Sequence, residues 1–189
     1  MLQLLSMKIL AFAGSLREGS LNRKLLAVAC EIVRKKGAEV KVVDLAEFEM
    51  PLYNGDIEDK QGVPAAANKL KDLFNSFDGV MISAPEYNYS VSGVLKNAID
   101  WTSRIKPQPF RQKHMLLMSA SPSMVGGNRG LWVLRMSLEA LGAFVYPDMF
   151  SLAVANEAFD PKDKLKEANL YKILETNVEG FIKHAGKNL

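Results

Sequence analysis

Gly14-Ser-Leu-Arg-Glu-Gly-Ser-Leu-Asn22 follows an apolar run at residues 7–13 and precedes a helical pattern that begins near Leu21. The order is strand, tight polar loop, helix start. Such a turn presents backbone N–H groups and the positive end of a helix to an anion. Ser15, Ser20 and Asn22 add neutral hydrogen-bonding groups, and Arg17 adds a fixed charge with a planar fork of donors. The stretch reads as a phosphate cradle. The plainer alternative is an ordinary strand-to-helix connection with Ser20 as N-cap. The loop lacks the Gly-Lys-Ser/Thr ending of a nucleoside triphosphate loop. It also lacks G-x-G-x-x-G, so close backbone approach to a dinucleotide pyrophosphate is unsupported. A terminal monophosphate held by hydroxyls and one Arg fits better.

Outward from this loop, strand and helix patterns alternate. Leu21, Leu25, Val28 and Ile32 recur at helical spacing, and Gly37 stops the pattern. Residues 40–45 are β-rich, and residues 47–61, with Pro51 and Gly55, read as a long loop. Pro64 opens a second helix with Leu70, Leu73, Phe74 and Phe77 on its buried face. A third strand at 79–84 leads to a third helix carrying Val91, Val94, Leu95, Ala98 and Ile99. A fourth strand at 115–120 leads to a helix carrying Leu131, Leu134, Leu138 and Leu141. Residues 143–146 form a fifth strand, with 150–154 its continuation or a separate short strand, and 165–182 form the terminal helix. Five strands alternating with five helices predict one α/β domain over 1–189, with a parallel sheet covered on both faces. Ligands of such sheets gather beyond the carboxyl ends of the strands. The polar loops at 14–22, 85–90 and 119–127 follow strands one, three and four, so the fold would bring them to one rim.

Composition narrows the function classes. The chain has 189 residues, 48% hydrophobic and 24% charged, the balance of an ordinary globular domain. Its net charge of +3 comes without dense Lys/Arg clusters, so nucleic acid is not implied as a partner. Cys30 is the single cysteine and lies inside the first helical pattern, which reads as core rather than nucleophile. One cysteine forms no internal disulfide, and no Cys/His cluster suggests a metal. Residues 1–6 are too short for a signal core and lack a basic start, and Met7 is an alternative first residue. No run approaches the ~18 apolar residues of a membrane span. A soluble, reducing, cytoplasmic setting without membrane partners is the default expectation.

The second loop is Pro85-Glu-Tyr-Asn-Tyr-Ser90. Pro85 ends a strand ladder, and Asn88 tolerates unusual backbone angles. Tyr87 and Tyr89 would form an aromatic wall, with the backbone N–H groups of 86–88 facing the edge of a planar ligand. The third loop, Ser119 to Asn128, carries little side-chain bulk, which permits close approach to a flat ring. Each loop taken alone reads equally as a plain turn.

Together, G-S-L-R-x-x-S-x-N at 14–22, P-E-Y-N-Y-S at 85–90 with G-x-L-K-N-A-I-D-W at 93–101, and S-x-x-x-x-G-G from Ser121 resemble the NAD(P)H-dependent FMN reductases, in particular the bacterial quinone, chromate and azo-dye reductases. The resemblance spans residues from about 8 to 155. It implies a flavodoxin-like three-layer sandwich with a five-stranded parallel sheet in the order 2-1-3-4-5. It implies that Ser15, Arg17, Ser20, Leu21 and Asn22 hold the FMN 5′-phosphate, Leu21 through its backbone N–H. Pro85, Glu86, Tyr87 and Asn88 would line the isoalloxazine, largely through main chain, and Ser119 and Ser121 with Gly126 would complete the other side. Pro122 in the third loop departs from the pattern and leaves open whether Ser119 or Ser121 makes the contact.

On this reading the flavin carries the chemistry: hydride comes from NADPH or NADH, and two electrons leave to a small-molecule acceptor by ping-pong on one open face. No metal and no catalytic side chain is required. His114 and His184 are distant from the three loops in sequence and read as structural or exposed, and Glu86 reads as serving loop geometry or a subunit contact. Arg129 would lie beside the rim, either pairing with nucleotide phosphates or standing exposed or bridging subunits. A homodimer or homotetramer is expected, with Met50, Leu52 or Tyr53 of a partner walling the site. A flavodoxin-type electron carrier and a non-catalytic FMN-binding protein are the alternatives; the absence of an acidic balance argues against the carrier.

Overall fold

The computed structural model describes residues 7–186; residues 1–6, and with them the choice between Met1 and Met7 as the start, lie outside the described residues. In chain order the elements are β1 (Lys8–Ala13), α1 (Leu21–Lys35), β2 (Glu39–Asp44), α2 (Gly55–Gln61), α3 (Ala65–Ser76), β3 (Gly79–Ser83), β4 (Glu86–Tyr87), β5 (Ser90–Val91), α4 (Gly93–Thr102), β6 (His114–Ala120), α5 (Asn128–Ala140), β7 (Phe144–Val145), β8 (Phe150–Leu152), α6 (Ala155–Ala158) and α7 (Ala168–Gly186). The main sheet runs β2-β1-β3-β6-β7, and every pairing in it is parallel. β4 and β5 form a separate antiparallel hairpin.

The apolar strands alternate between two cores. Ile9, Ala11, Met81, Leu116 and Met118 face α1 and α7, while Leu10, Phe12, Val80, Ile82, Met115 and Leu117 face α3, α4 and α5. Burial on both faces explains why these strands read as continuous apolar runs. Each such Leu, Ile, Phe or Met side chain stabilises the fold by about 1.5–3 kcal/mol through burial.

Two expectations are revised. The fifth strand is divided: β7 pairs with the start of β6 at His114 and Met115, and β8 pairs with its end at Met118–Ala120. Between them stands Pro147, which has no N–H for a ladder. The sheet therefore has six strands in five positions. The stretch read as a loop at 47–61 ends in α2, whose N-cap Asn54 accepts from the Asp56 N–H at 2.9 Å. No residue of α2 is buried, so it leaves no apolar periodicity to read.

The loop between β2 and α2 is braced from α4. The Trp101 indole N–H donates to the Pro51 carbonyl at 2.7 Å, and Asn97 accepts from the Tyr53 N–H at 2.8 Å while donating to Pro51 O at 2.9 Å. The Tyr53 ring meets Trp101 edge-on at 5.0 Å. These contacts explain the Asn and Trp of the 93–101 motif and hold Leu52 out, 80% exposed.

At the opposite end of the sheet, the His114 ring lies 5.2 Å from Phe144 and 5.3 Å from His184 of α7. Tyr146 packs on α7 at Gly180, where a Cβ would overlap its phenol oxygen. Burial, then His184, then Lys113 push the His114 pKa down. The unfolded chain thus takes up the proton first. Stability present above the ordinary histidine value of about 6.5 is lost as pH falls through it toward the lower folded value. We expect the melting temperature to drop between about pH 7 and 5, and the drop to shrink in His114→Phe; an equal drop in both proteins would remove His114 from the account.

Candidate functional site

The cradle loop leaves β1 at Ala13 and is fixed at Gly14 from two sides. Gly14 N–H donates to Ser83 O at 2.9 Å, and Ser92 Oγ donates to Gly14 O at 2.6 Å. Ser20 is the N-cap of α1, its hydroxyl accepting from the Arg23 N–H at 3.4 Å. The Ser15 hydroxyl accepts from the Arg17 N–H at 3.4 Å. The first N–H groups of α1, at Leu21 and Asn22, have no acceptor within the helix. No acidic side chain stands in the first turn, so nothing in the helix offsets its positive end. Arg17 is exposed beside it.

Asn22 is buried and turns its side chain inward. Its Oδ1 accepts from Ser83 Oγ and from the Ala120 N–H, both at 3.0 Å, and its Nδ2 donates to Ala120 O at 2.9 Å. The side chain therefore ties the start of α1 to the ends of β3 and β6, while its backbone N–H has no acceptor within the helix. Sequence reasoning also missed Arg23. Its Nε donates to Ser15 O at 3.3 Å and its Nη2 lies 2.7 Å from Asp44, which binds the loop to the end of β2.

The second loop is the β4–β5 hairpin. Its turn residues Asn88 and Tyr89 have φ of 51° and 65°, the sense that matches the twist of a two-residue hairpin. Tyr89 is an uncommon residue at such an angle, and its ring is held by the Arg129 guanidinium at 3.7 Å. Glu86 Oε1 accepts from Arg129 Nε at 2.9 Å, with Arg129 Nη2 at 2.8 Å from the same oxygen, and Glu86 Oε2 accepts from the Gly130 N–H at 3.1 Å. The Glu86 hydrogen bond is the largest influence pushing the Arg129 pKa up. The guanidinium is thus already engaged on its edge and on one face.

In the third loop Ser119 is fully buried, and its Oγ donates to Gly126 O at 2.6 Å. Gly126 has φ 66° and abuts the backbone of Ser151–Ala153, so it shapes the loop from behind. Ser121 instead reaches the rim, with its hydroxyl accepting from the Ser123 N–H at 3.2 Å.

The loops converge on one cavity of about 100 Å³ lined by Ser15, Arg17, Ser20, Leu21, Asn22, Pro85, Glu86, Tyr87, Ala120, Ser121 and Pro122. Asn88, Ser119, Gly126 and Arg129 stand outside its lining. The volume accommodates a phosphate but falls short of the roughly 300–1,000 Å³ of a pocket that encloses a drug-sized ligand. A flavin ring would therefore lie across the open rim between Pro85–Tyr87 and Ala120–Pro122. The donors, the helix end without an acidic residue in its first turn and the bare third loop fit the phosphate and ring of FMN.

The sequence signature of the NADPH-dependent FMN reductases matches residues 7–157. The chain belongs to this family. It is 37% identical over 159 residues, 82% of each chain, to a quinone reductase of Escherichia coli K12. It is 33% identical over 176 residues, 92% of each chain, to an NAD(P)H-dependent FMN reductase of Pseudomonas aeruginosa. Its structure is similar to the flavoenzyme NAD(P)H:(acceptor) oxidoreductase FerB of Paracoccus denitrificans, with a TM-score of 0.80, 26% identity and 96% and 98% of the two chains covered. The likeness to flavodoxin 1 of Bacillus cereus, with a TM-score of 0.60 at 13% identity over 94% and 98% of the chains, concerns the fold alone. The family member described here is an oxidoreductase that works with FMN and draws electrons from NAD(P)H.

A larger cavity, about 460 Å³, opens along the flank of α1 and β2 over Leu26, Ala27, Cys30, Val42 and Val43. Volume alone does not make it the reaction site: the three loops converge elsewhere, and burial pushes the Cys30 thiol up to about 12, far from a reactive thiolate. Among the described residues, no helix is long and apolar enough to cross a membrane.

Asn22→Ala leaves the Ser83 hydroxyl and the Ala120 backbone groups without their buried partner. We expect it to cost about 3 kcal/mol in urea unfolding; a loss under about 1 kcal/mol would show that the three loops are held by other means.

Proposed function

We propose that this enzyme passes two electrons from NADPH or NADH to quinones, or to other small acceptors such as azo dyes, chromate or free flavin, through one FMN per chain. The observation that carries the reading is the cradle at 14–22. The helix that follows has no acidic residue in its first turn, and the loop opens onto a cavity of about 100 Å³, too small to enclose a ring. The quinone reductase of Escherichia coli and an NAD(P)H:quinone oxidoreductase of Solanum tuberosum, 38% identical over 130 residues, support the acceptor class.

In this reading Ser15, Ser20, Arg17 and the N–H groups of Leu21 and Asn22 hold the FMN phosphate. The main chain of Pro85, Glu86, Tyr87 and Asn88 meets one edge of the ring, and Ser121 approaches from the third loop. Ser119, with its hydroxyl committed to Gly126, supports that loop from beneath. When bound, FMN supplies a two-electron carrier: NAD(P)H and a proton are consumed, a quinone leaves as quinol, and NAD(P)+ is released. The chain's part is to orient the ring, to keep one face open to donor and acceptor in turn, and to hold no side-chain acid that the chemistry needs. Arg129, held by Glu86 and Tyr89, braces the hairpin, and its exposed part stands available to a nucleotide phosphate.

Anaerobic stopped-flow mixing with NADPH or NADH should bleach the bound FMN stoichiometrically, and a benzoquinone should restore its colour. Arg17→Ala should weaken FMN binding roughly 10- to 100-fold, the range of a lost charge-assisted bond. Bleaching without reoxidation by any acceptor would overturn the function, and unchanged affinity would remove Arg17 from the phosphate site.

We further propose that a second copy of the chain walls the open rim, in a homodimer or a homotetramer. Leu16, 51% exposed, Leu52 and Tyr87 are exposed apolar side chains, Leu16 shares a cavity with Met50 and Asn97, and Trp101 and Asn97 bond the chain at Pro51 beside Leu52. Sedimentation should find an oligomer at micromolar concentration that Leu52→Asp weakens; a wild-type monomer would contradict this.

A further inference from the structure

Helix α5 starts on Gly127, which has φ 85° and no side chain with which to cap the helix. The missing cap comes from another element. Glu86, whose side chain is 8% exposed, reaches from β4 and accepts from the Gly130 N–H with one oxygen and from Arg129 with the other. A carboxylate at a helix N-terminus also meets the positive end of the dipole.

The packing here leaves no room for a side chain at either glycine. A Cβ at Gly130 would stand 3.1 Å from Glu86 Cβ and from Ser90 O, and one at Gly127 would stand 3.0 Å from Ser119 Cβ. The hairpin therefore rests directly on the first turn of α5. Arg129 extends the junction across the hairpin turn by stacking on Tyr89. Glu86 sits between Pro85 and Tyr87 in the stretch that borders the cavity, so one residue joins the second loop to the third.

We propose that Glu86 is a positioning residue of the flavin site. By capping α5 and holding Arg129, it locks the β4–β5 hairpin to the third loop and sets the spacing of the two edges between which the isoalloxazine lies. Its carboxylate acts through Arg129 and the Gly130 N–H and transfers no proton. The inference rests on the FMN reading above and deepens it.

The test compares wild type, Glu86→Ala, Glu86→Gln and Arg129→Ala, with Arg17→Ala as a variant of the phosphate cradle. In flavin-free protein, amide hydrogen exchange at 86–91 and at Gly130 should rise tenfold or more in Glu86→Ala and stay at the wild-type rate in Arg17→Ala. FMN affinity, read by fluorescence quenching, should fall about tenfold in Glu86→Ala, with a shifted envelope of the bound flavin's visible absorption. Glu86→Gln keeps an acceptor oxygen and should recover most of the affinity, the absorption envelope and the rate of flavin reduction by NADPH. Arg129→Ala should reproduce the exchange change in the hairpin with a smaller effect at Gly130. Wild-type exchange, affinity and spectrum in Glu86→Ala would overturn the proposal. A Glu86→Gln protein that binds FMN normally but is not reduced would overturn it in favour of proton transfer. Failure of the wild type itself to bind FMN would instead strike the FMN reading.

Discussion

The side chain of Asn22 fixes the geometry on which the site depends. Three strands end at the same rim, and each could carry its loop at a different height and angle. Asn22 removes that freedom by bonding to Ser83 at the end of β3 and to both backbone groups of Ala120 at the end of β6. The start of α1, with its free N–H groups, is thereby registered against the other two loops. These bonds are buried, where the cost of leaving a partner unmatched is high, so the arrangement has little slack.

Around this point the remaining contacts work outward. Arg23 bridges the cradle to Asp44 at the end of β2, and Ser92 secures Gly14 from the start of α4. Glu86 and Arg129 join the hairpin to α5. The first turn of α1 carries no acidic residue, which is the physical basis for the proposed phosphate site there. The shallow rim leaves one face accessible, as a site that serves a donor and an acceptor in turn requires.

Much of this was legible in the sequence because it is local. The apolar strands, the N-cap Ser20 and the three polar loops each announce themselves within a few residues, and the strand alternation gives a parallel sheet, whose order came from the family resemblance. What the sequence hid is what depends on distant partners. An amide at a helix start is equally suited to a phosphate and to two strand ends, so Asn22 read as ligand-binding where its side chain is a brace. The Ser119 hydroxyl was ambiguous for the same reason. Arg129 read as a nucleotide contact or as an exposed or bridging side chain, and its partner Glu86, 43 positions away, was out of view. Helix α2 buries nothing and so leaves no pattern, and the fifth strand is divided across Pro147 by its two separate pairings with β6.

The proposed site is built around a phosphate at the start of α1 and only borders the ring. Comparing the dissociation constants of FMN and riboflavin for the wild-type protein tests it most directly. Two or more charge-assisted bonds to the phosphate predict that FMN binds at least about 100-fold more tightly than riboflavin, or about 2.7 kcal/mol. Riboflavin binding within threefold of FMN would contradict the claim, because the ring rather than the phosphate would then carry the affinity.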